Sequence, residues 1–268
     1  MKKGFRNWER ILKELKMNKI NNKKLGAIIL AAGKGTRMKS GKTNKVALLL
    51  ADKPLILHSI NILEKMKFKQ IVVVVGFAKD SVKNALKDSM VSFAEQKKRL
   101  GTAHAVKSAL VDLDKEITDV LVIQGDDSHF YKEETISNLA KEHFSSDASV
   151  TFLTIKAKNP FGLGRIVRGI DGQVTTIIEE KDGTSKIRKI TEVNPACYMF
   201  KTNFLKKYIH TVQKSKITGE YYLTSLVDIA IKHNEKVSTM QAGEMSWRGV
   251  NTREELQEAE KIFLNLVE

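Results

Sequence analysis

The chain has 268 residues, a formal net charge of +15 and one cysteine, Cys197. Its 42% hydrophobic and 29% charged residues are typical of a soluble globular protein, and no apolar run approaches the roughly 18 residues that span a bilayer. A single cysteine excludes an intramolecular disulfide and favours a reducing cytoplasm, which is the location we expect. The lysines are scattered and not interleaved with aromatic residues, so we expect a lysine-rich surface and no nucleic-acid partner. Polyanionic substrates in a basic cleft remain an alternative.

Residues 1–24 are predicted to form a basic amphipathic extension. Apolar residues fall at helical spacing between lysines, arginines and glutamates: Phe5, Trp8, Ile11, Leu12 and Leu15. We expect this helix to dock on its own body or on another subunit. A basic helix lying on an anionic membrane is the alternative.

From residue 25 onward, strand and helix patterns alternate, which predicts an α/β fold with a doubly wound, mostly parallel sheet. The predicted strands are 25–32, 70–76, 92–95, 119–124, 148–156 and 236–242. The predicted helices are 53–67, 79–87, 102–110, 133–144, 202–215, 222–233 and 252–266. Between about 160 and 200, short β-prone pieces (165–168, 173–179, 187–191 and 196–200) separated by Gly-rich turns predict a small antiparallel β insert.

The segment Leu30-Ala-Ala-Gly-Lys-Gly-Thr-Arg-Met38 follows the first predicted strand. A strand that breaks into glycines and resumes as a helix places backbone N–H groups around an anion. The basic residues nearby indicate that the expected anion is a polyphosphate: Lys34, Arg37 and, further on, Lys45. A dinucleotide fingerprint needs a third glycine where Met38 stands, and a P-loop needs Gly-Lys-Ser/Thr after four spacer residues, so both motifs are excluded.

This segment, followed by Lys45, resembles the signature of the sugar-1-phosphate nucleotidyltransferases. Further segments resemble, in order, the uridylyltransferase (N-terminal) domain of bacterial N-acetylglucosamine-1-phosphate uridylyltransferases, over residues 25–265. They are Glu95-Gln96, Leu100-Gly-Thr-Ala-His-Ala105, Gly125-Asp126, Gly162-Leu-Gly-Arg-Ile166, Ile178-Glu-Glu-Lys181, Glu192-Val-Asn194, Gly219-Glu-Tyr-Tyr222 and Gly249-Val-Asn251. The hexapeptide repeats of the acetyltransferase domain are not found, so we expect that half of the bifunctional enzyme to be missing.

The resemblance implies a Rossmann-like nucleotidyltransferase domain over 25–268, with a sugar-binding β insert at about 160–200. It also implies a reaction, the Mg²⁺-dependent transfer of a uridylyl group from UTP to a sugar-1-phosphate, which gives a UDP-sugar and pyrophosphate. The sugar-1-phosphate that the resemblance implies first is N-acetylglucosamine-1-phosphate. Glucose-1-phosphate uridylyl or thymidylyl transfer, cytidylyl or molybdopterin-type transfer, and a non-catalytic sugar-nucleotide-sensing subunit are the alternatives. Homo-oligomerisation is left open.

The resemblance also assigns site residues. Arg37 and Lys45 would act on the reacting phosphates, and Asp126 and Asn251 would hold Mg²⁺. The nucleotide would contact Leu30, Ala31, Ala32, Gly33, Gln96, Gly101, Thr102, Gln124 and Gly125. Gln96 offers both a donor and an acceptor to uracil, and His104 is expected to have a packing or N-terminal hydrogen-bond role. The sugar-phosphate would contact Gly164, Glu179 and Asn194.

Four positions depart from the uridylyltransferase pattern. Asn44 stands where a proline usually precedes the reactive lysine, and Asp127 adds a second carboxylate. Pro195-Ala196 replaces Thr-Gly after Asn194, in the expected sugar pocket. The acceptor sugar is therefore the least determined part of the prediction.

Overall fold

Strands and helices alternate along the chain in the computed structural model, which describes residues 24–35, 38, 41–126, 131–242 and 250–267. Most of the predicted N-terminal extension, together with Arg37 and Asp127, lies outside the described residues. Within them, no helix is both long enough and apolar enough to cross a bilayer.

The elements are numbered along the chain. The strands are β1 (Lys24–Ala31), β2 (Leu49–Leu50), β3 (Lys53–Pro54), β4 (Gln70–Val75), β5 (Ser92–Glu95), β6 (Ile117–Gln124), β7 (Val150–Lys156), β8 (Gly164–Arg168), β9 (Val174–Ile178), β10 (Glu192–Asn194), β11 (Tyr198–Lys201) and β12 (Val237–Gln241). The helices are α1 (Leu55–Lys65), α2 (Lys79–Ala85), α3 (Thr102–Ala109), α4 (Glu133–Ser146), α5 (Ser185–Arg188), α6 (Thr202–Tyr208), α7 (Ser225–Lys232) and α8 (Arg253–Val267). Two 3₁₀ turns cover Lys45–Ala47 and Ile209–Thr211.

The first half of the main sheet is parallel, in the order β5-β4-β1-β6. β1, β4 and β6 are apolar almost throughout because helices cover both faces of the sheet, as in other parallel sheets. Along β1, Ile28 packs with α3, α6 and α7 on one face, and Ile29 packs with α1, α2 and α4 on the other. The predicted α/β fold is confirmed, and the parallel strands direct their carboxyl ends to one edge of the sheet.

The second half of the sheet is antiparallel and runs without interruption into the predicted β insert, in the order β6-β11-β7-β10-β8-β9. β10 and β11 both pair with β7, but β11 resumes two residues out of register because residues 195–197 bulge out. β12 pairs with β7 as a parallel strand. The small antiparallel lobe is therefore an extension of the main sheet through this bulge.

The prediction of a β segment at 187–191 is wrong, because α5 (Ser185–Arg188) covers its start. The hydroxyl of Thr184 accepts a hydrogen bond from the N–H of Ile187 at 3.4 Å and caps this short helix. Capping by a threonine hydroxyl favours a helical turn there, in spite of the β propensity of the isoleucines.

A buried polar cluster joins β6, α4 and β7. The imidazole of His143 lies 3.2 Å from a carboxylate oxygen of Asp119 and 2.8 Å from the hydroxyl of Thr151. The arrangement has the form of a nucleophile–histidine–carboxylate triad. All three side chains are at most 1% exposed, so no substrate reaches them and the cluster is structural.

Aromatic side chains fill the core beneath the antiparallel half. Phe152 lies 6.0 Å from Tyr198, measured between ring centroids, and Tyr198 stacks on Phe200 at 5.4 Å. Phe200 continues the row to Phe204 on α6 at 6.3 Å. The sheet and its covering helix are thus held together by one continuous aromatic row.

Replacing Phe152 by Ala should lower the free energy of unfolding by about 3–5 kcal/mol, because the side chain is fully buried and its removal leaves a cavity. Phe161 is 75% exposed and provides a matched control, for which Ala should change stability by no more than about 0.5 kcal/mol. Urea unfolding of both variants tests this, and equal losses would contradict the assigned core.

Candidate active site

A cleft of about 1270 Å³ opens at the carboxyl edge of the sheet, between the parallel half and the antiparallel lobe. Such edges are the usual ligand sites of open α/β sheets. Eight of the predicted site residues line it: Leu30, Thr102, Gln124, Asp126, Gly164, Glu179, Asn194 and Asn251. Residues predicted for the nucleotide, the metal and the sugar-phosphate therefore share one cavity.

Three residues from distant parts of the chain meet at one end of the cleft. The ammonium group of Lys45 contacts a carboxylate oxygen of Asp126 and donates to the side-chain oxygen of Asn251 at 3.0 Å. The Lys45 and Asp126 side chains are only 13% and 14% exposed, so this ion pair is largely shielded from solvent. The structure thus brings together the predicted reactive lysine and both predicted metal ligands.

Asn44 positions Lys45. Its side-chain nitrogen lies within hydrogen-bond distance of the carbonyl oxygens of Ala31 (3.0 Å), Gly33 (3.2 Å) and Phe77 (2.8 Å), while its Oδ1 accepts from the N–H of Val46 at 3.2 Å. Asn44 is 1% exposed and ties the loop after β1 and the loop after β4 to the 3₁₀ turn that carries Lys45. The sequence analysis notes Asn44 only because it stands where a proline is usual. Its role in holding the turn that carries Lys45 is visible only in the structure.

Asp126 follows β6 directly, after Gly125. The N–H of Gly125 donates to the carbonyl of Leu30 at 3.0 Å, and a Cβ at position 125 would lie 3.2 Å from that oxygen. The carbonyl of Asp126 in turn accepts from the N–H of Val250 at 3.3 Å. The small residue therefore lets β1 and the turn after β6 approach closely and fixes Asp126 above them.

A capping box holds Asn251 at the start of α8. A carboxylate oxygen of Glu255 accepts from the N–H groups of Asn251 (2.7 Å) and Thr252 (3.1 Å), and the Thr252 hydroxyl accepts from the N–H of Glu255 (3.2 Å). This reciprocal pattern satisfies the first donors of the helix. Ala259 of the helix and Val250 just before it pack beside β2 and α1, so the fold itself brings Asn251 to Asp126.

The donor set fits a hard divalent cation. Asp126 and Asn251 offer one carboxylate and one amide oxygen, and Mg²⁺ commonly takes one or two protein oxygens and completes its shell with water and phosphate oxygens. Among the residues that the structure describes, no group of three or more His, Cys, Asp or Glu side chains forms a metal cluster. A metal site whose coordination shell is completed by the phosphate oxygens of a substrate is consistent with this small number of protein donors.

The loop after β1 passes beside Lys45. Ala31 and Ala32 are buried, Gly33 is exposed, and Gly35 adopts φ +55°. A Cβ at Gly35 would lie only 3.2 Å from the Lys45 side chain. Glycine at this position therefore allows the predicted phosphate loop to run along the aliphatic stem of Lys45.

Gln96 is buried, and its amide nitrogen already has two partners. It donates to the carbonyl of Gly101 and to Nδ1 of His104, each at 3.0 Å. Because the nitrogen faces these two acceptors, only the carbonyl oxygen of Gln96 is left for a ligand, whereas the sequence had suggested both a donor and an acceptor. Gly101 (φ +109°) must be glycine, since a Cβ would lie 2.4 Å from the Tyr221 carbonyl oxygen.

His104 takes part in a side-chain hydrogen bond in this arrangement. A ring nitrogen that accepts from Gln96 carries no proton, so the imidazole is neutral and protonated on Nε2. Burial, with a smaller contribution from the charge of Lys107, lowers the pKa of His104 and favours this neutral form. The Leu-Gly-Thr-Ala-His segment is a sequence signal for this contact, but the partner of the histidine is visible only in the structure.

The predicted sugar-phosphate residues are neighbours on the antiparallel lobe. A Cβ built on Gly164 would lie 3.7 Å from a carboxylate oxygen of Glu179 and 3.8 Å from Cβ of Asn194. The Thr224 hydroxyl donates to Glu179 at 2.9 Å, and the amide of Asn194 donates to the Tyr198 hydroxyl. Burial raises the pKa of Glu179, partly offset by the Thr224 hydrogen bond.

A rigid loop next to these residues carries Phe161, which lines the cleft with 75% of its surface exposed. Its N–H is held by the side chain of Asn159 at 3.1 Å, and the N–H of Gly162 donates to Glu180 at 3.1 Å. Glu180 pairs at 2.5 Å with Arg165, which is 2% exposed. No sequence pattern singles out Phe161, whereas the Gly-Leu-Gly-Arg motif contains both Gly164 and Arg165.

Comparison with known proteins settles the family. The model of the nucleotidyl transferase family matches residues 26–265. The chain belongs to this family. Its relatives include the bifunctional protein GlmU of Caldicellulosiruptor saccharolyticus (38% identical over 90% of this chain), of Exiguobacterium sibiricum (40% over 87%) and of Bacillus subtilis (38% over 88%). In each case the match covers 52% of the relative, so the chain spans about half the length of these proteins.

A solved structure supports the fold alone. A protein from Bacillus anthracis, described as a glucose-1-phosphate thymidylyltransferase in complex with sucrose, superimposes with a TM-score of 0.73 at 21% identity. The alignment covers 89% of this chain and 95% of that one. This likeness confirms the predicted fold, and the family model and the relatives at 38–40% identity confirm the predicted family. The roles of the individual site residues remain predictions.

Replacing Glu179 by Gln should make the protein more stable at pH 8. A folded-state pKa above the unfolded one means that ionisation penalises the fold, so wild-type stability falls as pH rises through that window. The glutamine cannot ionise, so the difference in free energy of unfolding between the variant and the wild type should shrink towards pH 4. Urea unfolding at the two pH values measures the difference.

Glu192→Gln is the control with the opposite sign. Two hydrogen bonds from Arg168, at 2.9 and 2.6 Å, lower the pKa of Glu192. This variant should be less stable than wild type at pH 8, and its deficit should fade in acid as the wild-type carboxylate is protonated. The same pH trend for both variants would contradict the assigned environments.

Proposed function

We propose that this protein catalyses the Mg²⁺-dependent transfer of a uridylyl group from UTP to a sugar-1-phosphate, with N-acetylglucosamine-1-phosphate as the first candidate, and releases a UDP-sugar and pyrophosphate. The observation that carries the proposal is the meeting of Lys45, Asp126 and Asn251 at one end of a cleft that also contains Glu179 and Asn194. One cavity thus offers cationic and metal-binding groups for phosphates beside hydrogen-bonding groups for a sugar.

The reaction needs little covalent help from the protein. An oxygen of the sugar phosphate attacks the α-phosphorus of the nucleotide in line, and the bond to the pyrophosphate oxygen breaks, so positioning and charge neutralisation supply most of the catalysis. Mg²⁺, when bound to Asp126 and Asn251, would neutralise charge on the phosphate oxygens. The Lys45 ammonium group would do the same from the side of the phosphate loop. Arg37, by the family resemblance, would stabilise the departing pyrophosphate.

The remaining residues would orient the two substrates. The carbonyl oxygen of Gln96, held by Gly101 and His104, can accept a hydrogen bond from the N3–H of uracil. The oxygens of Glu179 can accept hydrogen bonds from sugar hydroxyls, and the amide of Asn194 lies next to them. Gly164 leaves room there that a side chain would fill.

A different acceptor sugar is the second candidate, and one observation favours testing it. Pro195 and Ala196 line the cleft where the uridylyltransferase pattern has Thr-Gly, and Ala196 adopts φ +54°. The wall beside Asn194 therefore differs from the pattern at the expected sugar subsite. Glucose-1-phosphate, with UTP or dTTP, is the most direct alternative. The proposal involves no nucleic-acid partner.

The test is a matrix of nucleotides and acceptors. UTP, dTTP and CTP are each combined with N-acetylglucosamine-1-phosphate and glucose-1-phosphate in the presence of Mg²⁺, and pyrophosphate release is measured. We expect the highest kcat/KM for UTP with N-acetylglucosamine-1-phosphate. A higher kcat/KM with another pair would reassign the substrate, and no release with any pair would favour the non-catalytic alternative.

Asp126→Asn should lower kcat/KM for pyrophosphate release by about 100-fold or more, because it removes the only charged oxygen donor proposed for the metal. Asp88→Asn, at an exposed carboxylate outside the cleft, is the matched control and should leave the rate unchanged. Unchanged Mg²⁺-dependent release in Asp126→Asn would overturn both the metal assignment and the mechanism.

A further inference from the structure

The ammonium group of Lys45 shares the two oxygens proposed for the metal. It contacts Asp126 and lies 3.0 Å from the side-chain oxygen of Asn251, so both proposed ligands point at one cation that belongs to the protein itself. The Lys45 and Asp126 side chains are mostly shielded from solvent, which strengthens their attraction relative to that of an exposed pair.

A divalent ion and this ammonium group cannot use the same oxygens together. Mg²⁺ binds its oxygen ligands at about 2.0–2.1 Å, so an ion bound to Asp126 and Asn251 would lie against the Lys45 ammonium group. Two like charges at such a distance repel each other strongly at low effective dielectric. The metal therefore enters only if Lys45 leaves.

The structure also offers Lys45 a place to go. The phosphate loop passes along its aliphatic stem, with Gly35 so close that a Cβ there would lie 3.2 Å from the side chain. The backbone of Lys45 follows directly on buried Asn44, so its base is fixed while its flexible stem is not. A polyphosphate in the loop would lie within reach of the ammonium group and would compete with Asp126 for it.

We propose that Lys45 takes the place of the divalent cation in the ligand-free protein and exchanges Asp126 and Asn251 for phosphate oxygens when a nucleoside triphosphate binds. The protein alone then binds the metal weakly, and metal and triphosphate bind together. The exchange with phosphate rests on the proposed function; the competition between Lys45 and the metal does not.

Binding of Mn²⁺ alone tests the competition. Free Mn²⁺ is measured by electron paramagnetic resonance during titration of the full chain, without nucleotide or sugar. Lys45→Met, which removes the ammonium group and keeps an unbranched side chain, should bind Mn²⁺ roughly tenfold more tightly than wild type, the size of a modest electrostatic coupling. Lys45→Arg keeps a cation and should bind as weakly as wild type.

Lys158→Met is the control for general charge, because Lys158 also lines the cleft and is exposed. It should not change Mn²⁺ affinity by more than about twofold, since exposed charges are screened. The proposal is overturned if Lys45→Met binds Mn²⁺ no more tightly than wild type, or if neither protein binds Mn²⁺. It is also overturned if Lys158→Met or Lys45→Arg gains as much Mn²⁺ affinity as Lys45→Met. Urea unfolding confirms that each variant is folded.

This result is independent of the substrate matrix. A tighter site in Lys45→Met together with no pyrophosphate release would leave the competition standing and refute the proposed function. Pyrophosphate release by the wild type with equal Mn²⁺ affinity in all variants would refute the competition alone.

Discussion

The burial of β1 between β4 and β6 is the constraint on which the rest of the structure depends. In register, Ile28 lies between Val72 and Val122, and all three are fully or almost fully buried. Helices on both faces leave these strands no polar side to turn outward. Because β1 and β6 are parallel, the segments that follow them emerge at the same edge, where Leu30 and Asp126 line the cleft.

The third contributor to this edge comes from the far end of the chain. Asn251 is brought there by α8 and the segment before it, which pack with Leu50 and Leu55 through Ala259 and Val250 respectively. The capping box at the start of α8 then fixes the backbone of Asn251. The same contacts that bury the last helix thus complete the charged end of the cleft, so stability and site geometry depend on one another here.

Much of this could be predicted from the sequence because it rests on local pattern. The apolar run 71–75 allows only a buried strand, and the glycine-rich segment after β1 indicates its loop. The role of Asn44 could not be predicted, because it depends on a contact with the Phe77 carbonyl, which is distant in sequence. The partner of His104 is near in sequence, but the turn between β5 and α3 that brings Gln96 to it has no pattern that fixes side-chain directions. The segment 187–191 was assigned wrongly because a capping hydroxyl outweighed β propensity.

The bulge at 195–197 joins the proposed sugar end of the cleft to the aromatic core. Asn194 contacts Tyr198, and Tyr198 stacks on Phe200 in the buried row, so this wall of the cleft is directly connected to the core. The loop around Phe161 is held to the lobe through Glu180 and Arg165, but its aromatic side chain is exposed and lies outside the buried row. A side-chain change at Phe161 therefore alters the cleft wall without disturbing the core, whereas a change at the bulge reaches both.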